Sequence, residues 1–213
     1  NVNWIHYTAT VDYNTEVIRV YINGEFSGSI GISGKPRLTN SNPLRFGSSR
    51  DVQPDPGEEN FEGFVDEIRI FNGLLTPSQI QQLVYQEIEN NTGVIHGVTI
   101  DKDIEDFTTN VTIPWSALQV YYPLNDIVDN KVKDMSLYGN NARLYNITTI
   151  QPQNAPMPYE TIADGPWTTE ATWLHGDVWD IENIANNKDW SIVHIKNDVT
   201  TSDSHTQLGM FID

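Results

Sequence analysis

Residues 61–85, FEGFVDEIRIFNGLLTPSQIQQLVY, constrain the fold more than any other stretch of the chain. Apolar and polar positions alternate over 64–71, which predicts a strand with Phe64, Asp66, Ile68 and Ile70 on one face and Val65, Glu67, Arg69 and Phe71 on the other. Asn72-Gly73 ends that strand. Thr76 is placed as an N-cap, Pro77 as the first helical residue, and Gln79 as the return arm of a capping box. Ile80, Leu83 and Val84 then give a short helix one apolar face.

Upstream the pattern is a meander. Strands are expected over 4–11, 16–22 and 25–30, with Asn23-Gly24 as a two-residue hairpin turn. A Gly-, Ser- and Pro-rich loop comes next, then a short strand at 44–47, then a polar loop carrying Asp51, Asp55, Glu58 and Glu59. Residues 87–106 are acidic and weakly patterned, a linker or a pair of short strands. Strands are expected at 111–113 and 117–122.

These motifs resemble the closing part of a laminin-G-like domain of the concanavalin A-like jelly-roll class. The resemblance rests on Gly63, Asp66-Glu67 and the strand and helix after them, together with Trp4, His6 and the run 17–25. Tyr121-Tyr122 with Asp126, then Asp134, Ser136, Gly139, Asn140 and Ala142, resemble the opening of a second such domain. Trp167, Thr172, Trp173 and Gly176 resemble the entry into β-rich repeats of large secreted Bacteroidetes proteins. The fold class expected is therefore all-β. An antiparallel jelly-roll sandwich, partial in this chain and with one short helix, leads into a β-rich region that starts a β-solenoid. The expected organisation is 1–88 as the second half of a jelly roll, 89–116 as linker or short strands, 117–150 as the second opening, 151–166 as a proline-rich connector, and 167–213 as the repeat region. A half jelly roll leaves a sheet face bare and edges open, so the missing strands are expected before Asn1 in a longer protein.

Charge narrows the partners. The formal net charge is −17 with only 12 Lys and Arg, which argues against nucleic acid and against an anionic membrane surface. No apolar run is long enough for membrane insertion. The absence of cysteine excludes a disulfide scaffold and a thiolate metal site. The five histidines lack zinc-protease spacing, and no nucleophile elbow or phosphate loop occurs. Retaining glycosidases need two carboxylates about 5–5.5 Å apart. Asp66 and Glu67 are adjacent, so alternation sends them to opposite faces and argues against an enzyme.

Asp66 is the residue that needs an account. On a core-facing position its carboxylate must be hydrogen-bonded, paired or metal-bound. Two readings stay open: a turn-fixing acceptor, and a calcium ligand, since domains of this kind often carry calcium at a loop rim. Asp51, Asp55 and Glu58 would complete that oxygen set. The aromatic cluster Trp167, Trp173, Trp179 and Trp190 is read mainly as a small β core, with a sugar-stacking platform as the alternative. The resemblance implies a non-catalytic, extracellular binding or adhesion module of a large bacterial surface protein. Its partners would be a glycan or a cell-surface protein, with type IX export machinery and a gliding or adhesin role. A purely structural spacer and an accessory carbohydrate-binding domain of a secreted enzyme are the alternatives.

Overall fold

The computed structural model describes residues 4–37, 43–47, 61–125, 127–145, 155–174 and 189–213. The chain is mostly β. Strands β1 (Tyr7–Asp12), β2 (Val17–Ile22) and β3 (Glu25–Gly31) form an antiparallel meander in the order β1-β2-β3. Asn23 and Gly24 both have positive φ, 50° and 83°, as a type I′ hairpin turn requires. Asn23 is tied back to the chain before β1 by its backbone N–H to the His6 carbonyl (2.8 Å), while its side-chain oxygen accepts from the His6 N–H (2.9 Å). Asp12 builds the first turn, accepting from the Asn14 N–H and the Thr15 hydroxyl.

The ladder pairs Tyr7 with Ile22, Ala9 with Val20, Val11 with Ile18, and Ile18 with Ile30. These side chains share one sheet face, and it is largely exposed: Tyr7 is 64% and Ile30 65% exposed, while Ile18 and Val20 are half-buried. Arg19 and Tyr21 point the other way, Tyr21 opposite Phe26.

The expected strand at 64–71 is shorter than its alternation suggests. β4 is Ile68–Phe71. Glu67 adopts φ 51°, a left-handed conformation that breaks the two-residue period, so facing cannot be counted across it. Among the described residues the expected strand at 44–47 makes no ladder, and its Leu44 and Phe46 are exposed. Helix α1 (Pro77–Leu83) forms as its signals predict, with both arms of the capping box made.

Three strands come after α1: β5 (Ile88–Asn91), β6 (Val94–Gly97) and β7 (Lys102–Asp103), an antiparallel sheet in that order. The strand expected at 111–113 is present only as isolated bridges, Glu105 to Thr112 and Val94 to Pro114. Pro114 lacks the N–H that would extend a ladder. A 3-10 turn at Trp115–Ala117 leads into β8 (Leu118–Tyr122). β8 pairs antiparallel with β4, setting Ile68 opposite Tyr122 and Ile70 opposite Val120. The main core gathers Leu83, Ile88, Ile95, Ile104, Ile113, Trp115, Leu118 and Tyr121, and so joins helix, small sheet and strand pair.

Strands β9 (Ile127–Val128), β10 (Lys131–Val132) and β11 (Ala142–Arg143) make another small antiparallel sheet. Val132 packs with Val120 and Tyr122, against Ile68 and Ile70. The segment that resembles a domain opening therefore lies on the strand that resembles a domain closing. The antiparallel sheets of 7–143 are consistent with a jelly-roll sandwich.

Beyond residue 155 the pairing changes direction. β12 (Tyr159–Glu160), β14 (Ile192–Ile195) and β16 (Gly209–Ile212) are parallel, as are β13 (Gly165–Pro166) and β15 (Val199–Thr200). Trp167, Trp173 and Val193 fill the space beside these ladders, with Val199 packed on them. The free side of β12 is covered by the chain folding back, the Leu174 N–H donating to the Glu160 carbonyl and the Ile162 N–H to the Thr172 carbonyl. Val84 and Tyr85, at the end of α1, pack with Trp190 and Ile192.

Candidate functional site

The left-handed turn at Glu67 sets the geometry of the Asp66-Glu67 pair. Asp66 is half-buried. Its Oδ1 accepts from the Glu67 N–H (3.0 Å) and its Oδ2 from the Ala155 N–H (2.9 Å). Burial raises its pKa, against those hydrogen bonds. This is a turn-fixing carboxylate that also anchors a segment 89 residues away. Among the described residues each oxygen accepts from one donor. Asp51, Asp55 and Glu58 lie outside the described residues.

Glu67 goes inward. Its carboxylate pairs with Arg69 and accepts from the Tyr121 hydroxyl at 3.1–3.2 Å. Arg69 also donates to the carbonyls of Leu83 and Gln86, so one guanidinium joins β4 to the end of α1. Burial pushes the Glu67 carboxyl up to about 7, although Arg69 pulls the other way. Tyr121 is raised by burial and by the Glu67 charge. His6, on the same cluster, is lowered to about 4, first by burial and then by Arg69. Its Nδ1, the Trp4 Nε1 and the Arg69 Nε are buried without a partner among the described residues. Sequence reasoning missed this cluster, because alternation placed Glu67 away from the core.

The motif at 134–142 is structural. Asp134 accepts from the N–H groups of Tyr121, Ser136 and Asn140 and from the Ser136 hydroxyl, while Asn141 accepts from the Asp134 N–H. Those bonds hold its carboxyl below the usual range despite burial.

Trp167 and Trp173 stack edge to face with centroids 4.9 Å apart, and both are buried, as core residues are. Trp179 lies outside the described residues. Trp190 is only 3% exposed, yet it forms part of a cleft wall. The cleft, of about 500 Å³, lies between the β2–β3 hairpin and α1 and is lined by both of them and by Trp190, with Arg19, Tyr21, Glu25, Phe26 and Gln81 among its side chains. The Trp190 indole donates to the Asn23 carbonyl (2.9 Å). Gly24 is required there, since a Cβ would meet the indole nitrogen at 2.6 Å. Phe26 remains 59% exposed beside the edge of Tyr21. Sequence reading gave no sign of this cleft, whose walls come from three separate stretches.

His96 sits between two carboxylates, Nδ1 at 2.6 Å from Asp103 and Nε2 at 2.8 Å from Asp101. Their hydrogen bonds raise its pKa. In the parallel region His194 lies between Glu160, on β12, and Asp213, the residue after β16.

Residues 2–81 match the laminin G 3 family model, described as the concanavalin A-like lectin/glucanases superfamily. No curated protein and no solved structure matches the chain.

Proposed function

We propose that the chain is a non-catalytic binding module that recognises carbohydrate and is displayed outside a bacterial cell. The observation that carries this reading is the match of residues 2–81 to a superfamily of lectins and glucanases. The fate of the two acids supports the binding side of that pair. Asp66 is committed to two backbone donors, and Glu67 is sealed against Arg69 and Tyr121. Neither faces the other across an open cleft, as acid and nucleophile must. The finer setting we propose is an adhesin, gliding or otherwise, of a large surface protein exported by type IX machinery. Among the described residues no helix is long and apolar enough to cross a membrane.

A second reading, a stalk or spacer, is favoured by one observation. The parallel ladders β12-β14-β16 and β13-β15 stack successive passes of chain, as the coils of a β-solenoid do. A glycan array separates the two. Saturable binding to a defined set of glycans is expected for the module, and none for a spacer. Turnover of a β-glucan panel, abolished by Glu67→Gln, would overturn the non-catalytic reading.

A further inference from the structure

We propose that the cleft between the β2–β3 hairpin, α1 and Trp190 is a subsite for a neutral pyranose. The proposal rests on the carbohydrate reading above and adds the place and the kind of sugar. A pyranose has a face of C–H groups and a rim of hydroxyls, so its site needs an exposed aromatic ring beside polar groups with unused hydrogen-bonding capacity. Phe26 supplies the ring, held by the edge of Tyr21 at a centroid distance of 5.9 Å. Arg19, Glu25 and Gln81 supply the polar groups. Among the described residues no hydrogen bond or salt bridge uses their side chains. Between them they offer guanidinium and amide donors and carboxylate and amide acceptors, which matches hydroxyls that both give and take.

The size fits. About 500 Å³ falls within the roughly 300–1,000 Å³ of small-ligand sites. The walls are preorganised: the hairpin turn is fixed by Asn23 to His6, and Trp190 is hydrogen-bonded to that same turn. Charge decides between neutral and acidic sugars. Arg19 and Glu25 give the lining one charge of each sign, and the chain as a whole carries a net −17, which disfavours uronates and sulfated glycans. The site is also composite. Residues 19–26, Gln81 and Trp190 meet only in the folded chain, so a bound sugar would bridge the hairpin to the parallel region.

The test uses the full chain with neutral oligosaccharides (cello-, xylo-, manno- and galacto-series) and two acidic ones, oligogalacturonate and a heparin fragment. Titration calorimetry is run on the unaltered chain, on Phe26→Ala and Gln81→Ala, and on Phe107→Ala as an exposed aromatic that does not line the cleft. A neutral sugar should bind. Phe26→Ala should weaken it about tenfold or more, Gln81→Ala severalfold, and Phe107→Ala not at all. Saturation transfer should fall on ring C–H protons of the sugar. Neutral-sugar binding that Phe26→Ala and Gln81→Ala leave intact would overturn the cleft while the carbohydrate reading stood. Preference for the acidic probes would overturn the neutral assignment. No binding to any probe would remove both.

Discussion

Glu67 and His6 share one buried cluster, and their protonation acts on stability in opposite directions. The folded state raises the Glu67 pKa from 4.5 to about 7. Between those values the folded chain binds more protons at Glu67 than the unfolded chain, so this contribution is full below pH 4.5 and is lost as pH rises towards 7. The folded state lowers His6 from 6.5 to about 4, so its contribution is full above 6.5 and is lost as pH falls towards 4. The two slopes oppose each other over the shared window. Melting temperature should therefore climb with pH more steeply in Glu67→Gln than in the unaltered chain, and should decline with pH in His6→Gln. Parallel profiles in all three proteins would refute the cluster as described. Asp66 carries a different proposal at this scale, calcium shared with Asp51, Asp55 and Glu58. Binding would stabilise the fold by about 2.7 kcal/mol at a hundredfold excess over Kd. A calcium-specific rise in melting temperature, absent in magnesium and in Asp66→Asn, is the expected result. Equal melting in chelator, calcium and magnesium would leave Asp66 as a turn-fixing acceptor only.

Elements differ in how far they stand by themselves. Helix α1 is short, but its cap is complete: the Thr76 side chain accepts from the Gln79 N–H and Gln79 returns to the Thr76 N–H. Thr76→Ala should cost about 1 kcal/mol, seen as a lower urea midpoint at unchanged slope. Its effect should stay well below that of Trp173→Ala, which empties a fully buried site and should cost about 3–5 kcal/mol. Similar losses from the two would mean that the parallel region is not packed around Trp173. Strand β4 shows the reverse dependence. The alternation of 64–71 was readable, but where the ladder starts was not, because one left-handed residue resets the period. The expected strand at 44–47 makes no ladder among the described residues, where only the Phe61 N–H reaches it, donating to the Gly47 carbonyl.

At the scale of the molecule, residues 1–86 depend on the rest of the chain. Their β4 takes its partner strand, β8, from 118–122, and Leu83 packs in a core supplied mostly by Ile88, Ile95, Ile104, Ile113, Trp115 and Leu118. Without these, the largely exposed apolar face of β1-β2-β3 and an unpaired β4 cannot offset a backbone entropy of about 1–2 kcal/mol per residue. The fragment 1–86 should aggregate or stay unfolded, and a cooperative melt of that fragment as a monomer would contradict this. The parallel region leans on the same body through Tyr85, Trp190 and Ile192.

What the sequence determined by itself is local. Asn23-Gly24, the Thr76–Gln79 capping box and the two-residue period of β2 are written in neighbouring residues, and their geometry depends on short-range sterics and hydrogen bonds. The opening and closing motifs were also visible as sequence, though not that they would pair with each other. Tertiary structure alone decided which carboxylate is buried, which tryptophan is core and which walls a cleft, and where Arg19, Phe26, Gln81 and Trp190 meet. Those outcomes depend on contacts between residues far apart in the chain. A buried charge or an exposed ring is a property of the assembled surroundings, and no periodicity within one segment encodes it.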